Sequence, residues 1–466
     1  MTTWRIALGV CGLATGILVA DSMSADVSSG EPIQSPPAPA SHSLPLTLQA
    51  ALSAALNNNP DVLLYKERIQ EAQGHVRTQF GAMLPTLSAN VRQTRQTQFL
   101  GTIGLSPVRT DPFSIFDTRI SATQHLFSLS LIQRWRASRE SLQVTEQESE
   151  ARMLDTMASV GLAYMEGLKA MAMVKMHEAN QLVMNELLGT IRQRQRGGVA
   201  TRLDLARLEA QLAVERQQGS SARYELEHAK LTLINLLALP IESALALTDE
   251  WMTGVPTMPT PEGAVETALS QRPEVRAQAI RVKASELTYS SITGERVPSL
   301  VAQGEYGLIG NRWNNTLDTY NMALTLQIPI FDGAQREGRI AQARSQMQQE
   351  ALRLKSVLNH VTMEVHDALA SLASAHEQVS IAQAGLRMAT TELDLARERY
   401  AVMTSASHFE LTNGLSAVTR ARENLVNALF QLNAARINFA RSTGSVPTLN
   451  EDSQAERRAS GYLDLK

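Results

Sequence analysis

Residues 354–400 read LKSVLNHVTMEVHDALASLASAHEQVSIAQAGLRMATTELDLARERY, and this stretch decides the fold. Leu354, Leu358, Val361, Val365, Ala368, Leu372, Ala375, Val379, Ala382, Leu386, Ala389, Leu393, Ala396 and Tyr400 step by four and three without a break. That is a heptad seam. Alanines along it let a neighbouring helix approach closely. Extended back to Gly333, the helix would run about 100 Å at 1.5 Å per residue. No single globule buries such a helix, so an extended coiled coil or helical barrel is expected.

Just upstream, Tyr320, Met322, Leu324, Leu326, Ile328 and Ile330 alternate with Asn321, Thr325 and Gln327. This period of two marks a strand over about 319–330. Before it come a polar loop at about 308–318 and another alternating strand at about 299–307, entered through Val297-Pro298-Ser299-Leu300. Further back, Gly263–Ser270 and Arg272-Pro273-Glu274-Val275 read as a short amphipathic helix, then a proline opening the next one with an acid behind it.

The same order is written earlier in the chain. Leu46–Leu56 and Asn59-Pro60-Asp61-Val62 open a helix that stops at Leu84-Pro85-Thr86-Leu87. A strand at about 86–94, a polar loop at about 95–116 and a strand at about 117–127 follow. A second long helix then spans Leu129 to Arg196, its stripe less regular than the later copy's. Each long helix turns back, at Gly197-Gly198-Val199-Ala200-Thr201 and at Met403-Thr404-Ser405-Ala406-Ser407, into a shorter helix.

The boundaries that follow are a signal peptide at 1–25, a Pro/Ser-rich lead-in at 26–45, a first repeat at 46–239, a connector at 240–262, a second repeat at 263–443 and a polar tail at 444–466. Arg5, the apolar run Ile6–Ala20 and a cleavage site at Met23-Ser24-Ala25 carry the export reading. Cys11, the only cysteine, lies inside that run, so its removal leaves no disulfide and no cysteine metal site. Beyond it no apolar run is long enough for a transmembrane helix. Any membrane crossing must therefore use strands closed into a barrel. Each of the four strands is about ten residues long, the span of a tilted membrane strand, with one apolar and one polar face.

Composition narrows the function. The net charge is -3 over 466 residues, with no basic field for nucleic acid. No phosphate-binding glycine loop, nucleophile elbow, HExxH pair or paired-carboxylate setting is present, which argues against an enzyme and against any bound cofactor. Met165, Met171, Met173, Met176, His177 and Met184 invite a soft-metal reading. They do not share one helical face, however, and read as core filler rather than a metal site. His360 and His366 fall on different helix faces and read as surface residues.

The duplicated helix–strand–loop–strand–long helix–turn–helix unit, over about residues 46–443, resembles the TolC family of outer-membrane channels. Leu46-Thr47-Leu48, Asn59-Pro60-Asp61, Leu84-Pro85, Ile328-Pro329-Ile330-Phe331-Asp332-Gly333 and the turn Gly198–Leu205 carry the resemblance. It implies a mainly α protein with membrane β: a coiled-coil helical barrel across the periplasm, and four strands per chain completing a twelve-stranded outer-membrane barrel in a homotrimer. It also implies a passive exit duct for drugs or small solutes in a tripartite efflux system. The partners would be a periplasmic adaptor (membrane fusion) protein, an inner-membrane RND or ABC transporter, and outer-membrane lipid. An exit duct for type I protein secretion is a close variant, and a non-pore periplasmic coiled-coil adaptor is the competing class.

By the same resemblance, Gly198, Val199, Ala200, Thr201, Leu203 and Asp204 form one adaptor-docking tip, and Val402, Met403, Thr404 and Ser405 belong to the other. Asp204, Tyr400, Glu410 and Asn413 occupy gate-like places. The second turn lacks the glycine and needs a one-residue insertion to align Glu410 with Asp204. Ser405 stands where some members carry a base, and Arg202 or Arg399 could take that part. Three Glu410 side chains in a ring would favour cations.

Overall fold

The computed structural model describes residues 44–104, 107–198, 200–251, 258–402 and 408–444, except for the side chains of 102, 103, 401, 402 and 408. The expected signal peptide and nearly all of the lead-in and tail lie outside the described residues.

The first repeat begins with α1 (Leu48–Asn58) and α2 (Pro60–Gly81), separated by one residue. Thr47 caps α1 by accepting from the Ala50 amide at 3.2 Å. Asn59 ends α1 and caps α2, its Oδ1 accepting from the Asp61 amide at 2.8 Å. Ahead of α1, β1 (Leu44–Leu46) pairs in parallel with β4 (Leu245–Leu247). The last residues of the lead-in and a piece of the connector thus form a small sheet, which period-based reading did not detect in three-residue strands. Tyr164 explains why it is held. Its ring is fully buried, and its hydroxyl donates to the Leu46 carbonyl at 2.9 Å and accepts from the Asp249 amide at 3.3 Å. Leu46, Leu52, Val160, Leu168, Leu233 and Leu237 pack around it as one core.

The membrane-type sheet has the order β2 (Thr86–Gln96), β3 (Phe113–Phe127), β5 (Ser299–Arg312) and β6 (Asn315–Gln327), all antiparallel. Its register separates the faces. Ala89, Ile120, Tyr306 and Tyr320 form one row, and Leu87, Ala122, Gly304 and Met322 the next. Leu87, Val91, Ile120, Tyr306, Tyr320, Met322, Leu324 and Leu326 stand exposed on this face. The opposite face carries Ser88 hydrogen-bonded to Ser121 at 2.7 Å, and Arg119 bridging Asp117 at 2.7 Å and Glu305 at 3.2 Å.

The loop expected at 308–318 is corrected. β5 continues through Leu308, Ile309 and Gly310, and only Trp313 and Asn314 separate it from β6. At Gly310 an added Cβ would fall 1.9 Å from the Asn315 carbonyl oxygen, so the close strand approach there requires glycine. β6 also stops at Gln327 rather than 330, because Pro329 has no amide to continue a ladder. β3 begins at Phe113, four residues earlier than expected.

α3 (Leu129–Arg196) and α7 (Gln335–Val402) are each 68 residues long. Ser128 caps α3, and Asp332 accepts from the Arg336 amide at 2.9 Å where α7 begins. α3 packs against α2 and α6 (Pro273–Thr293), and also against α4 (Arg202–Leu236) and α8 (His408–Thr443); α7 packs against α6 and α8. The heptad seam is buried where α8 covers it. Leu372, Ala375 and Val379 meet Leu429 and Leu432, and Ala389 and Leu393 meet Leu411, Leu415 and Val418.

A charge network centred on a buried arginine ties these helices together. α5 (Pro261–Gln271) leads into α6 through Arg272. The Arg272 guanidinium, 5% exposed, reaches Glu274 at 3.0 Å and also pairs with Glu364 of α7. Arg441 of α8 lies 3.9 Å from Glu364 and 2.7 Å from Asp155 of α3. Burial pushes the Glu274 carboxyl up, but the hydrogen bond and charge of Arg272 outweigh it and hold the group below its ordinary 4.5.

Arg272→Ala leaves the half-exposed Glu274 and Glu364 without their shared cation and should cost about 1.5 kcal/mol, read as a lowered melting temperature of the detergent-solubilised protein. A depressed carboxyl contributes stability above its ordinary pKa and loses it as pH falls through the folded value. The melting temperature should therefore drop below about pH 4.5, and Glu274→Gln should flatten that drop. Gly307 lets Arg119 lie across the sheet: an added Cβ would sit 2.2 Å from the Thr118 carbonyl oxygen and 2.7 Å from Arg119 Cγ. Gly307→Ala should displace β3 from β5, and loss of the folded band on unboiled gels would report it.

Candidate functional site

The two turns that join the long and short helices collect the candidate residues. At the first, α3 ends at Arg196. Gly197 donates to the Gln193 carbonyl at 3.1 Å, and Gly198 donates to that of Gln195 at 3.0 Å with φ at +78°. A side chain at Gly198 would be strained, which is why glycine closes this helix. Ala200 then donates to the Arg194 carbonyl at 3.3 Å.

Thr201 starts α4 with a full capping box. Its hydroxyl accepts from the Asp204 amide at 3.2 Å, and the Asp204 carboxylate accepts from the Thr201 amide at 3.1 Å and from its hydroxyl at 2.6 Å. Asp204 thereby has a local structural task beside any role in a gate. Leu203 points into solvent. Below the turn, Met184, Leu188, Ile191, Leu208 and Leu212 form a sealed cluster, so a stable base supports the exposed tip. Val199 lies outside the described residues.

At the second turn, α7 ends at Val402 and α8 starts at His408, with Glu410 in its first turn. Met403, Thr404 and Ser405 lie outside the described residues, as does the Val402 side chain. Of the two bases considered as partners for the gate acids, Arg399 is paired: its guanidinium is 3.3 Å from Glu410. Tyr400 is bound by a residue that sequence reasoning missed. The Arg194 guanidinium lies over the Tyr400 ring at 4.1 Å and donates to the Tyr400 carbonyl at 2.9 Å. This contact joins the ends of the two long helices, 206 residues apart in sequence. The only signal in the sequence was the arginine-rich end of α3. Asn413 lies exposed on α8 and Arg202 exposed at the start of α4.

Away from the turns, His177 and Glu215 form a buried contact at 2.8 Å between α3 and α4, joined by Asn180 at 3.2 Å. Met165, Met176 and Met184 are core side chains. Among the described residues no cluster of three metal-binding side chains occurs, and no helix is long and apolar enough to cross a membrane.

The arrangement offers two helical tips, a link between them and a sheet with an apolar face. A family model described as "outer membrane efflux protein" matches residues 51–239 and 264–445. The pyoverdine export outer membrane protein OpmQ of Pseudomonas aeruginosa is 23% identical over 363 residues, 76% of each chain. The outer membrane efflux protein BepC of Brucella suis is 23% identical over 404 residues, covering 83% of this chain and 84% of BepC. The crystal structure of the outer membrane protein VceC of Vibrio cholerae superposes with a TM-score of 0.75 at 16% identity, covering 85% of this chain and 96% of VceC.

Thr201→Ala removes one side of the capping box and should cost about 1 kcal/mol, localised to the first turn of α4. Faster hydrogen exchange at the Leu203 and Asp204 amides, with the Leu208 cluster unchanged, is the expected reading.

Proposed function

The chain belongs to the outer membrane efflux protein family, as an outer-membrane component of an efflux system, and from that premise we propose that three copies assemble into a passive exit duct. The observation that carries the reading is the four-stranded sheet. One face is apolar and exposed, and the outer edges of β2 and β6 are unpaired among the described residues. Hydrocarbon does not tolerate an open sheet edge. Four strands fall short of the eight with which known membrane barrels begin, whereas three copies supply twelve. Pairing β6 of one copy with β2 of the next closes the ring with one repeated head-to-tail contact.

The long helices extend this ring into the periplasm, and efflux energy comes from an inner-membrane RND or ABC transporter. A periplasmic adaptor docks at the two tips, on Gly198, Val199, Ala200, Thr201, Leu203 and Asp204, and on Val402, Met403, Thr404 and Ser405. The glycine turn and the exposed Leu203 support this assignment, since a docking tip needs a fixed backbone and accessible apolar surface. Tyr400, Glu410, Asp204 and Asn413 line the gate. Arg194 and Arg399 act with them as the internal links that keep the long helices together at that end. Residues 1–25 act as the export signal.

The purified full chain should migrate on unboiled gels as a heat-sensitive trimer and give discrete conductance steps in planar bilayers. A soluble monomer without conductance would sink the reading. Arg194→Ala and Glu410→Ala should each raise the leak conductance of the resting duct; an unchanged leak in both removes these residues from the gate.

A further inference from the structure

We infer that residues 445–449, the first beyond Gly444, dock along a groove between α5 and α7 and strap the chain's own C-terminal segment across the middle of the long helix. The groove is open to solvent and has a volume of about 610 Å³. Val265 and Leu269 of α5, both half-buried, supply its apolar surface. Thr362 and His366, near the midpoint of α7, line it from the other helix. Ser270 lies toward one end and Glu262 toward the other.

The end of α8 is fixed beside this groove. Ser442 and Thr443 are buried, and Gly444 turns the chain out of the helix with φ at +77°. A Cβ added at Gly444 would sit 3.4 Å from the Gln271 carbonyl carbon and 3.5 Å from the Arg272 nitrogen. Ser270 directly precedes Gln271, so the chain leaves α8 at the near end of the groove. The departure point is rigid, because Arg272 is buried and held by Glu274 and Glu364.

The residues that follow, Ser445-Val446-Pro447-Thr448-Leu449, fit the surface they meet. Pro447 fixes its own φ and restricts Val446 to extended conformations, so little freedom is lost on docking. In a polyproline helix, with three residues per turn, Val446 and Leu449 fall on the same side. They then cover Leu269 and Val265 in that order. Five such residues at 3.1 Å each span about 16 Å, the same distance that the eleven residues of α5 rise. The docked part ends before Glu451 and Asp452, which Glu262 and Glu266 would repel. A segment tethered this closely meets the groove at an effective concentration of about a millimolar or more, which favours it over a separate partner.

The test is disulfide trapping in the full chain, with Cys11→Ser as background. On oxidation E266C/T448C should form a disulfide within one chain, read by peptide mass mapping without reduction. L203C/T448C, with its first cysteine exposed at the far tip, should form none. A second measurement leaves the groove itself intact: V446D/L449D should speed amide exchange at residues 265–269 at least about threefold, with the amides around Tyr164 unchanged. Disulfides only between copies, none in folded E266C/T448C, or exchange at 265–269 unchanged in V446D/L449D each overturns the inference. The first outcome gives the groove to a second copy, and the last gives it to another segment such as the lead-in.

Discussion

The unpaired backbone groups along β2 and β6 are the constraint on which the rest of this protein depends. Eleven residues of β2 and thirteen of β6 each present one edge without a partner strand among the described residues. In water such edges invite aggregation; in hydrocarbon each unmet group costs several kcal/mol. The apolar row of Tyr320, Met322, Leu324 and Leu326 on the edge strand itself makes water an equally poor home for it. The order β2-β3-β5-β6 puts one edge from each repeat at the two ends of the sheet.

That constraint dictates how the helices must be held. The sheet lies at one end of two helices each about 100 Å long by rise, and the tips lie at the other. Errors in helix register would be carried along that length, so the middle needs fixing. The core around Tyr164 and the network around Arg272 supply it by different physics. The first is apolar packing with its single hydroxyl satisfied on both sides. The second is a chain of ion pairs around the buried Arg272 that joins α6, α7, α8 and α3. Ion pairs of this kind add little net stability, but a slipped helix would leave a charge buried and alone, so they penalise wrong registers heavily.

Much of the architecture was legible in the sequence, because its signals are periodic or local. The heptad seam from Leu354 to Tyr400, the alternation of β6 and the proline-opened helices repeat within one segment, and both long helices lie where those patterns place them. What the sequence did not disclose depends on contacts between distant segments. Leu44–Leu46 is too short to show a period, and only its partner at Leu245–Leu247 makes it a strand. GNRWNN at 310–315 has the composition of a loop, yet Gly310 serves a close strand crossing there. Arg194 is one of several arginines at the end of α3, and only its distant partner Tyr400 sets it apart.

The two repeats meet at the tips with unlike solutions to the same problem. The first turn is fixed largely by contacts close in sequence: a left-handed Gly198 and the reciprocal bonds of Thr201 with Asp204. The end of α7 is held from outside, by Arg194 across the repeat boundary, as well as by Arg399 and Glu410 between its own helices. A locally closed turn keeps its shape when neighbouring helices move, whereas a helix end held by long-range side chains follows the helix that supplies them. The first turn is thus set by contacts close in sequence, and the end of α7 by contacts that reach across the repeat boundary.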